Sequence, residues 1–328
     1  MKNFAYVKAT TATEAAQLMT AGSNRQLLAG GVDLLDLMKE HLLEPEVLVA
    51  LSGVSGLNQI EKLSTGVLRI GARVTLAELA GSSVLSSSGA KALVDAASGA
   101  ATPQIRNMAT LGGNLLQRPR CWYFRKEEAA CLKKGGSGCP AVLGENHYLA
   151  ILGGGPCYAV TASSPSIALL ALDAKLNLTS ATGTRQLALS GLYQGPSVDP
   201  KKETTLAAGE VITSVEIPAP VTGMTQAYVK LRQKEAFDWA MSEVAVRLIV
   251  SGGVVSDVRI VMGAVAPIPW RPTSAENLLK GKALTTTLAA QVATEAVAGA
   301  KALSDNAWKI NATKTLVEQA LLAAGGLA

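Results

Sequence analysis

The chain has 328 residues, of which 48% are hydrophobic and 17% are charged, and it carries only 4 cysteines. A secreted protein held together by disulfides is usually short and rich in cysteine, so this composition predicts two or three domains folded around buried apolar cores. The net charge of +5 comes from scattered Lys and Arg, and with 4% aromatic residues no basic stripe has stacking partners, so we expect no nucleic-acid partner.

The first residues, MKNFAYVKATTATEAAQLM, contain no uninterrupted apolar core and no small-residue cleavage site, unlike a signal peptide. No window approaches the ~18 to 20 apolar residues of a membrane span, so we expect no membrane insertion. Both observations predict assembly in the cytoplasm.

Residues 26–51, QLLAGGVDLLDLMKEHLLEPEVLVAL, show the pattern of a strand, a glycine turn, a helix and a second strand. The pair Gly30-Gly31 would let backbone N–H groups point outward at the start of the helix, where a phosphate can bind. Asp33 stands where it would cap that helix. Because the G-x-G-x-x-G spacing of dinucleotide-binding loops is absent, the segment alone is typical of a tight turn with an Asp cap.

A second glycine pair, Gly112-Gly113, lies in GAATPQIRNMATLGGNLLQ, residues 99–117. Two separate loops of this kind indicate one extended ligand, because several backbone N–H groups can together neutralise a diphosphate. Thr102 and Thr110 are candidate hydroxyl donors, although a lone Thr is more often a packing residue.

The four cysteines lie close together in the sequence, with the spacing C-x9-C-x7-C-x17-C. This spacing matches neither the C-x2-C pairs of zinc sites nor a bacterial ferredoxin run, so a disulfide knot, a zinc site and an iron–sulfur cluster all stay open. The polar, glycine-rich flanks argue against a few buried apolar thiols. His147, between the third and fourth cysteines, is interpreted as a loop histidine with a backbone partner.

Seven segments span nearly the whole chain in order: LLAGGVDLL, LRIGARVTLAEL, IRNMATLGGNLLQ, SIALLALDAKL, LAAGEVITSVEIP, KLRQKEAFDWAMSEVAV and VMGAVAPIPWR. Together they resemble the FAD-binding medium subunit of the molybdenum hydroxylases, the xanthine dehydrogenase and aldehyde oxidase family. The resemblance implies an α+β chain with a FAD-binding PCMH-type, vanillyl-alcohol-oxidase-like domain over residues 1–222, divided into subdomains 1–57 and 58–222. A C-terminal α/β domain with a three-stranded sheet and helices would cover residues 223–328.

The resemblance also implies that FAD lies against both glycine loops, with Lys230 as a cation beside the flavin ring and Asp238 and Trp239 facing it. The expected FAD contacts are Leu28, Ala29, Gly30, Gly31, Val32, Asp33, Leu34, Thr102, Asn107, Thr110, Gly112, Gly113, Asn114, Gln117, Ser164 and Lys230. At Pro165-Ser166-Ile167 the chain departs from the Pro-Ser-Asp of its relatives. A carboxylate near the sugar-like chain of the flavin is therefore missing, which leaves more of the binding to Ser163, Ser164 and backbone groups.

Residues 118–158 form an insertion that most medium subunits lack. Its R-C-x-Y-F start and C-x-K-x-x-G-S-G-C continuation are similar to the subgroup of periplasmic aldehyde oxidoreductases and 4-hydroxybenzoyl-CoA reductases. The resemblance implies a 4Fe-4S cluster, with zinc as the second choice, and its ligands would be Cys121, Cys131, Cys139 and Cys157.

Basic residues around these cysteines are expected to lower the thiol pKa values and to offset the cluster charge; they are Arg120, Arg125, Lys133 and Lys134. The glycine loops precede the insertion and use separate backbone groups. Loss of the cluster is therefore expected to leave FAD at least partly bound.

By the same resemblance the chain is an electron-transfer subunit that is not self-sufficient. A large molybdopterin-binding subunit would oxidise an aldehyde or an N-heterocycle, a small 2Fe-2S subunit would pass the electrons to FAD, and an external electron acceptor would take them. Two alternatives stay open: a stand-alone flavin oxidase and a cofactor-free, zinc-bound scaffold. Because the subgroup includes complexes exported on a partner's signal, periplasmic residence by export with a partner subunit is the alternative to the cytoplasm.

Overall fold

The computed structural model describes residues 1–22, 24–234 and 237–327. These residues form three separate sheets, each with its own helices. The α+β class implied by the resemblance is confirmed, as is the three-stranded sheet in the C-terminal part. None of the helices described is both long and apolar enough to cross a membrane.

The first sheet is parallel and contains the first glycine turn. Its elements in chain order are β1 (Ala5–Lys8), α1 (Ala12–Thr20), β2 (Arg25–Leu28), α2 (Leu34–Lys39) and β3 (Val47–Ala50). β3 lies between β1 and β2 and runs parallel to both. The predicted order of strand, glycine turn, helix and strand is confirmed. The turn leaves the carboxyl end of β2, which is the edge where open α/β sheets bind ligands.

The second sheet has five strands in the order β4-β5-β8-β6-β7, and every neighbouring pair is antiparallel. Its elements are β4 (Ile60–Lys62), β5 (Leu68–Gly71), α3 (Leu76–Ala80), α4 (Ser83–Ser87), α5 (Lys91–Ser98), α6 (Pro103–Met108), α7 (Leu111–Leu115), α8 (Trp122–Arg125), α9 (Ser164–Ala171), β6 (Lys175–Ser180), β7 (Gly183–Ala188) and β8 (Val211–Ile217). Every residue of α9 is buried. A helix that is covered on all sides must lie inside the molecule, and α9 packs between α5 and the third sheet.

The third sheet is antiparallel, in the order β11-β10-β9, and the chain ends in helices. Its elements are β9 (Met224–Leu231), β10 (Ser242–Ser251), β11 (Val254–Gly263), α10 (Thr273–Leu279), α11 (Thr286–Ala296) and α12 (Trp308–Gly325). Alternate residues of β10 point to opposite sides. Val244 and Val246 pack with the C-terminal helices, whereas Ala245 joins the core that contains α9.

The insertion has little regular structure beyond α8 and two short 3₁₀ turns. Its second half makes hydrogen bonds with the C-terminal part of the chain. The Lys309 ammonium is fully buried and donates to the carbonyl oxygens of Tyr148 at 2.8 Å, Leu149 at 3.0 Å and Ala264 at 2.6 Å. Burial lowers the pKa of Lys309 to about 7. A segment of this composition is therefore ordered by polar contacts with other parts of the chain.

Candidate functional site

The two glycine loops touch each other at Gly30. A Cβ atom at this position would overlap the carbonyl oxygen of Met108 and would lie 3.4 Å from the Thr110 methyl group. Only glycine allows such a close approach of two backbones. The sequence prediction that both loops serve one ligand therefore has a geometric basis, because their predicted contact residues lie side by side.

The first loop offers backbone donors. Gly31 has a φ of +75°, a conformation that glycine adopts without strain. In the described ranges, the amide N–H groups of Val32, Asp33 and Leu34 have no hydrogen-bond acceptor. The prediction that Asp33 caps α2 is wrong, because its carboxylate accepts from the Arg118 amide at 2.8 Å instead. Independently of that, the amides of Val32, Asp33 and Leu34 are available to an anionic ligand such as a diphosphate.

The second loop differs from the expectation of open backbone donors. The Gly112 amide donates to the Ala72 carbonyl at 2.8 Å, and the Gly113 amide donates to the Thr110 hydroxyl oxygen at 3.3 Å. Thr102 likewise accepts from the Ile105 amide, at 3.2 Å. Both threonines are helix N-caps, so their hydroxyl oxygens are used locally, whereas each O–H is still able to donate to a ligand.

Polar side chains after this loop connect it to the start of α9. Asn107 is exposed on α6, whereas the Asn114 side-chain oxygen accepts from the Ser163 hydroxyl at 2.7 Å. The Gln117 side-chain amide donates to the carbonyl oxygens of Asn114 at 3.1 Å and Ala162 at 3.3 Å. The structure therefore brings Asn114 and Gln117 next to the serine pair that the sequence analysis singled out.

Ser164 leads to a residue that the sequence analysis missed. Its hydroxyl donates to the Glu243 carboxylate at 2.6 Å, and the Tyr228 hydroxyl donates to the same oxygen. Glu243 is only 1% exposed. A Cβ atom at Gly263 would lie 2.5 Å from Glu243 Oε1 and 2.6 Å from Ile167 Cγ1, so a carboxylate does lie beside Ile167.

The signal in the sequence was a single Glu inside the apolar strand segment SEVAV. A buried carboxylate is costly unless it is hydrogen-bonded, so such a residue merits a search for its partners. Burial and the neighbouring Glu243 carboxylate raise the pKa of the Tyr228 hydroxyl well above its usual range.

Lys230 lies opposite Glu243 in the register of β9 and β10. Its ammonium donates to the Gly99 carbonyl at 3.0 Å, three residues before the predicted contact Thr102. Burial lowers the pKa of Lys230, and the Glu243 carboxylate opposes that change. The predicted flavin lysine is therefore directed toward the segment that leads into the second loop.

Asp238 and Trp239 lie in the loop before β10, where the Asp238 carboxylate makes turn hydrogen bonds and the Trp239 side chain is partly exposed. The Asp238 carboxylate accepts from the amides of Lys234 at 3.2 Å and Trp239 at 2.9 Å, which is ordinary turn chemistry. The Trp239 side chain is half exposed, and the Arg120 guanidinium lies 4.9 Å above its ring. Contact between this loop and a flavin stays a prediction.

All four cysteines carry free thiols, so the disulfide alternative is wrong. Cys131 and Cys157 are buried, contrary to the expectation from their polar flanks. Burial raises the pKa of Cys121 to about 11, and repulsion from Cys157 and Cys131 adds to the increase. Burial also raises the pKa of Cys157, where Cys139 and Cys131 contribute in the same direction. The four thiols are therefore electrostatic neighbours of one another.

The expectation that the basic residues would lower the thiol pKa values is wrong for Cys121, because burial raises its pKa and the contributions that oppose burial come from the backbone amides of Phe124 and Tyr123. Lys133 does oppose the increase at Cys157, while its ammonium donates to Glu203 at 2.7 Å. Arg120 and Arg125 pair with carboxylates of the first glycine loop and α2.

The insertion supplies four thiols, the number that either tetrahedral zinc or a four-iron cluster takes as ligands. Within the described residues, no three His, Cys, Asp or Glu side chains come close enough to hold a single metal ion. Tetrahedral zinc, with Zn–S bonds of about 2.3 Å, would need its sulfur atoms about 3.8 Å apart. His147 has the expected backbone partner, with Nδ1 3.1 Å from the Asp305 carbonyl oxygen.

Comparison with known proteins gives two family matches. Residues 2–220 match the FAD binding domain in molybdopterin dehydrogenase, and residues 226–325 match the CO dehydrogenase flavoprotein C-terminal domain. The chain is 37% identical to the aldehyde oxidoreductase FAD-binding subunit PaoB of Escherichia coli, over 85% of this chain and 86% of the relative. It is 30% identical to the nicotine 6-hydroxylase medium subunit of Paenarthrobacter nicotinovorans, over 91% and 87%.

Solved structures show the same fold. A carbon monoxide dehydrogenase chain from Hydrogenophaga pseudoflava, in a form that lacks the Mo-pyranopterin moiety, aligns with a TM-score of 0.80 and 27% identity over 100% of this chain and 99% of that one. Quinoline 2-oxidoreductase from Pseudomonas putida aligns with a TM-score of 0.76 and 25% identity over 100% and 99%. The chain belongs to the FAD-binding flavoprotein subunits of the molybdopterin dehydrogenases, and it is an oxidoreductase subunit.

Proposed function

We propose that the chain is the electron-transfer subunit of a heteromeric molybdenum hydroxylase and that, besides FAD, it carries a 4Fe-4S cluster on its four cysteines. The observation that carries this proposal is the position of the thiols against α2. Leu37 of that helix packs with Phe124 and Cys131 in one buried cluster, and Cys121 packs against it. The helix that follows the first glycine loop is therefore also a wall of the thiol site.

The residues of the FAD site fit a dinucleotide with a diphosphate. The free amides of Val32, Asp33 and Leu34 would bind the diphosphate, and the contact of Gly30 with Met108 would keep the two loops at the distance that one ligand requires. Lys230 would place a positive charge near the flavin ring. FAD, when bound, supplies the ability to accept single electrons and to deliver one or two.

The complex around this subunit is the one that the resemblance to the molybdenum hydroxylases implies. The chain has 4 cysteines, and one 4Fe-4S cluster would use all of them, so the 2Fe-2S clusters of such a complex would lie on another polypeptide. We assign them to a small partner subunit and molybdopterin to a large one. Relatives named as an aldehyde oxidoreductase and a nicotine 6-hydroxylase support aldehydes or N-heterocycles as substrates of the complex. An external acceptor would receive the electrons from FAD.

The compartment is part of the same proposal. Thiols that bind a cluster stay reduced in the cytoplasm, so the cluster would be loaded there. Residence in the periplasm would then require export of the folded complex on the signal of a partner subunit.

The test is the absorption spectrum of the purified chain, with iron, acid-labile sulfide, zinc and flavin counted. We expect flavin bands together with broad cluster absorption and about four irons per chain. Cys139→Ser should lose or degrade the cluster, because the harder oxygen ligand binds cluster iron poorly. Ser137→Ala is the matched control: it lies in the same loop, is exposed, and should leave the iron content unchanged.

Three results would contradict parts of the proposal. About four irons retained in Cys139→Ser would mean that the ligand set is wrong. Zinc in a colourless protein would favour the scaffold alternative. Steady substrate turnover by the isolated chain would favour a stand-alone flavin oxidase over an electron-transfer subunit.

A further inference from the structure

We infer that Asp33 and Asp36 are positioning residues that couple the two cofactor sites, so that binding of FAD stabilises the cysteine insertion and the folded insertion strengthens FAD binding. For the identity of the second cofactor, this inference rests on the proposed function. The coupling itself concerns only residues of this chain. It replaces the expectation that the two sites are independent.

The first observation is a network of ion pairs between the glycine loop and the insertion. Asp33 Oδ1 lies 2.7 Å from Arg125 Nη2 and 2.9 Å from Arg120 Nη2. Its other oxygen, Oδ2, accepts from the Arg118 amide at 2.8 Å. Asp36 Oδ2 joins the same two arginines, at 3.0 Å from Arg125 Nη1 and 3.1 Å from Arg120 Nη1. Two carboxylates three residues apart therefore hold two guanidinium groups in a closed arrangement.

The second observation is that the centre of this network is sheltered from water. The side chains of Arg125 and Asp33 are 13% and 16% exposed. Removing one partner of a sheltered pair leaves the other charge without compensation, which costs more than losing a surface pair. Arg125 is further fixed by the carbonyl oxygens of Pro119 at 2.9 Å and Arg118 at 3.0 Å. The backbone before Cys121 is thus held by the same guanidinium that binds Asp33.

The third observation is that Asp33 belongs to both sites. Its amide is one of the free donors of the first glycine loop, while its carboxylate faces the insertion. A ligand that binds the amides of Val32, Asp33 and Leu34 would hold the loop in the conformation that directs this carboxylate to the arginines. Linkage then requires the reverse effect, of equal size, on the affinity for the ligand.

Arg120 extends the network toward the cysteines and the C-terminal part of the chain. It precedes Cys121 directly, and its guanidinium lies over the Trp239 ring. Its Nε atom is buried and has no hydrogen-bond partner among the described residues. Arg120 is therefore held by charge and stacking, and it depends on Asp33 and Asp36 for its ion pairs.

The experiment is limited trypsin digestion of the full chain with and without FAD, following cleavage after the exposed Lys126 in the insertion. In the wild type, removal of FAD should accelerate cleavage at least about fivefold, the lower end of ordinary coupling between sites. In Asp33→Asn, cleavage should be fast whether or not FAD is present, and FAD should bind at least about fivefold more weakly. Asp36→Asn leaves the glycine loop unchanged and removes a carboxylate that is 46% exposed, so it should reduce the FAD dependence less than Asp33→Asn does.

The control is Glu216→Gln, which removes a carboxylate paired with Arg69 between β8 and β5. It should cleave like the wild type in both states. FAD affinity is also measured in Cys139→Ser, where we expect at least about fivefold weaker binding because the insertion is loosened.

Equal cleavage of the wild-type insertion with and without FAD would overturn the coupling, as would FAD dependence as large as that of the wild type in either Asp33→Asn or Asp36→Asn. These outcomes are separate from a failure of the proposed function. If the purified chain contains no iron, the cluster assignment fails, while the digestion still reports whether FAD protects the insertion.

Discussion

Replacing Gly30 by Ala tests whether contact between the two glycine loops creates the FAD site. The new Cβ atom would overlap the Met108 carbonyl oxygen and lie 2.9 Å from the carbonyl carbon, whereas ordinary contacts begin at 3.4 Å. The carbonyl carbon alone would require the loops to separate by about 0.5 Å, and the closer oxygen requires more than about 1 Å; because both obstructing atoms belong to the backbone, no side-chain rotation relieves the strain. We expect a stability loss of about 1–3 kcal/mol from overpacking.

The effect on FAD follows from the same displacement. Loss of one hydrogen bond to the charged diphosphate costs about 1.5–3 kcal/mol, which corresponds to about 10- to 150-fold weaker binding. The assay is titration of FAD-depleted protein with FAD, followed by flavin fluorescence, together with thermal unfolding. Gly299→Ala is the matched control, because its Cβ would lie 4.0 Å from the nearest atom, Leu152 Cδ2. FAD affinity within about twofold of wild type in a folded Gly30→Ala protein would refute the proposed geometry.

Three further outcomes are expected. Gly31→Val should abolish FAD retention, because the φ of +75° at Gly31 strains any branched residue. Gly113→Val should do the same, because its side chain would push against Thr110. Full flavin occupancy in either variant would contradict the assignment of the loops to FAD. Because burial lowers the pKa of Lys309 to about 7, the folded state binds fewer protons than the unfolded state above pH 7, so stability should rise with pH toward the unfolded pKa. The free energy of unfolding should rise by at most about 1.4 kcal/mol per pH unit. Denaturant unfolding between pH 7 and 9 should show a weaker dependence of this free energy on pH in Lys309→Met than in the wild type. The same pH dependence in both proteins would contradict the role of Lys309. Glu243→Gln should shift the flavin midpoint potential while the melting temperature stays near that of the wild type, because it replaces a buried carboxylate by an amide of nearly the same shape. An unchanged potential would place that carboxylate away from the flavin.

Local sequence was sufficient for the elements that depend on neighbouring residues. Paired glycines after a short apolar run predicted the strand, turn and helix around Gly30, because backbone conformational freedom and apolar periodicity act within a few residues. The resemblance implied a three-stranded sheet followed by helices in the C-terminal part of the chain, and both are confirmed. The FAD contacts and the ligand role of the cysteines stay predictions, although the structure brings Gly30 against Met108 and joins Asn114 to Ser163.

Prediction from the sequence failed for a side chain that could bind either the local backbone or a distant charged residue. Asp33 has the right position for a helix cap, yet it binds Arg125, which lies 92 residues farther along the chain. The two charges meet only after α2 and the insertion pack together, and an ion pair sheltered from water is stronger than a cap bond exposed to it.

Burial decided the remaining differences. Charged neighbours in the sequence predicted low thiol pKa values, but Cys121 is partly buried by distant segments, and desolvation raises its pKa to about 11. Glu243 was not singled out in the sequence, and only the packing of β10 against α9 places its carboxylate beside Ser164 and Ile167. The residue types and their order were thus set by the sequence, whereas their electrostatic environment exists only once distant segments exclude water together.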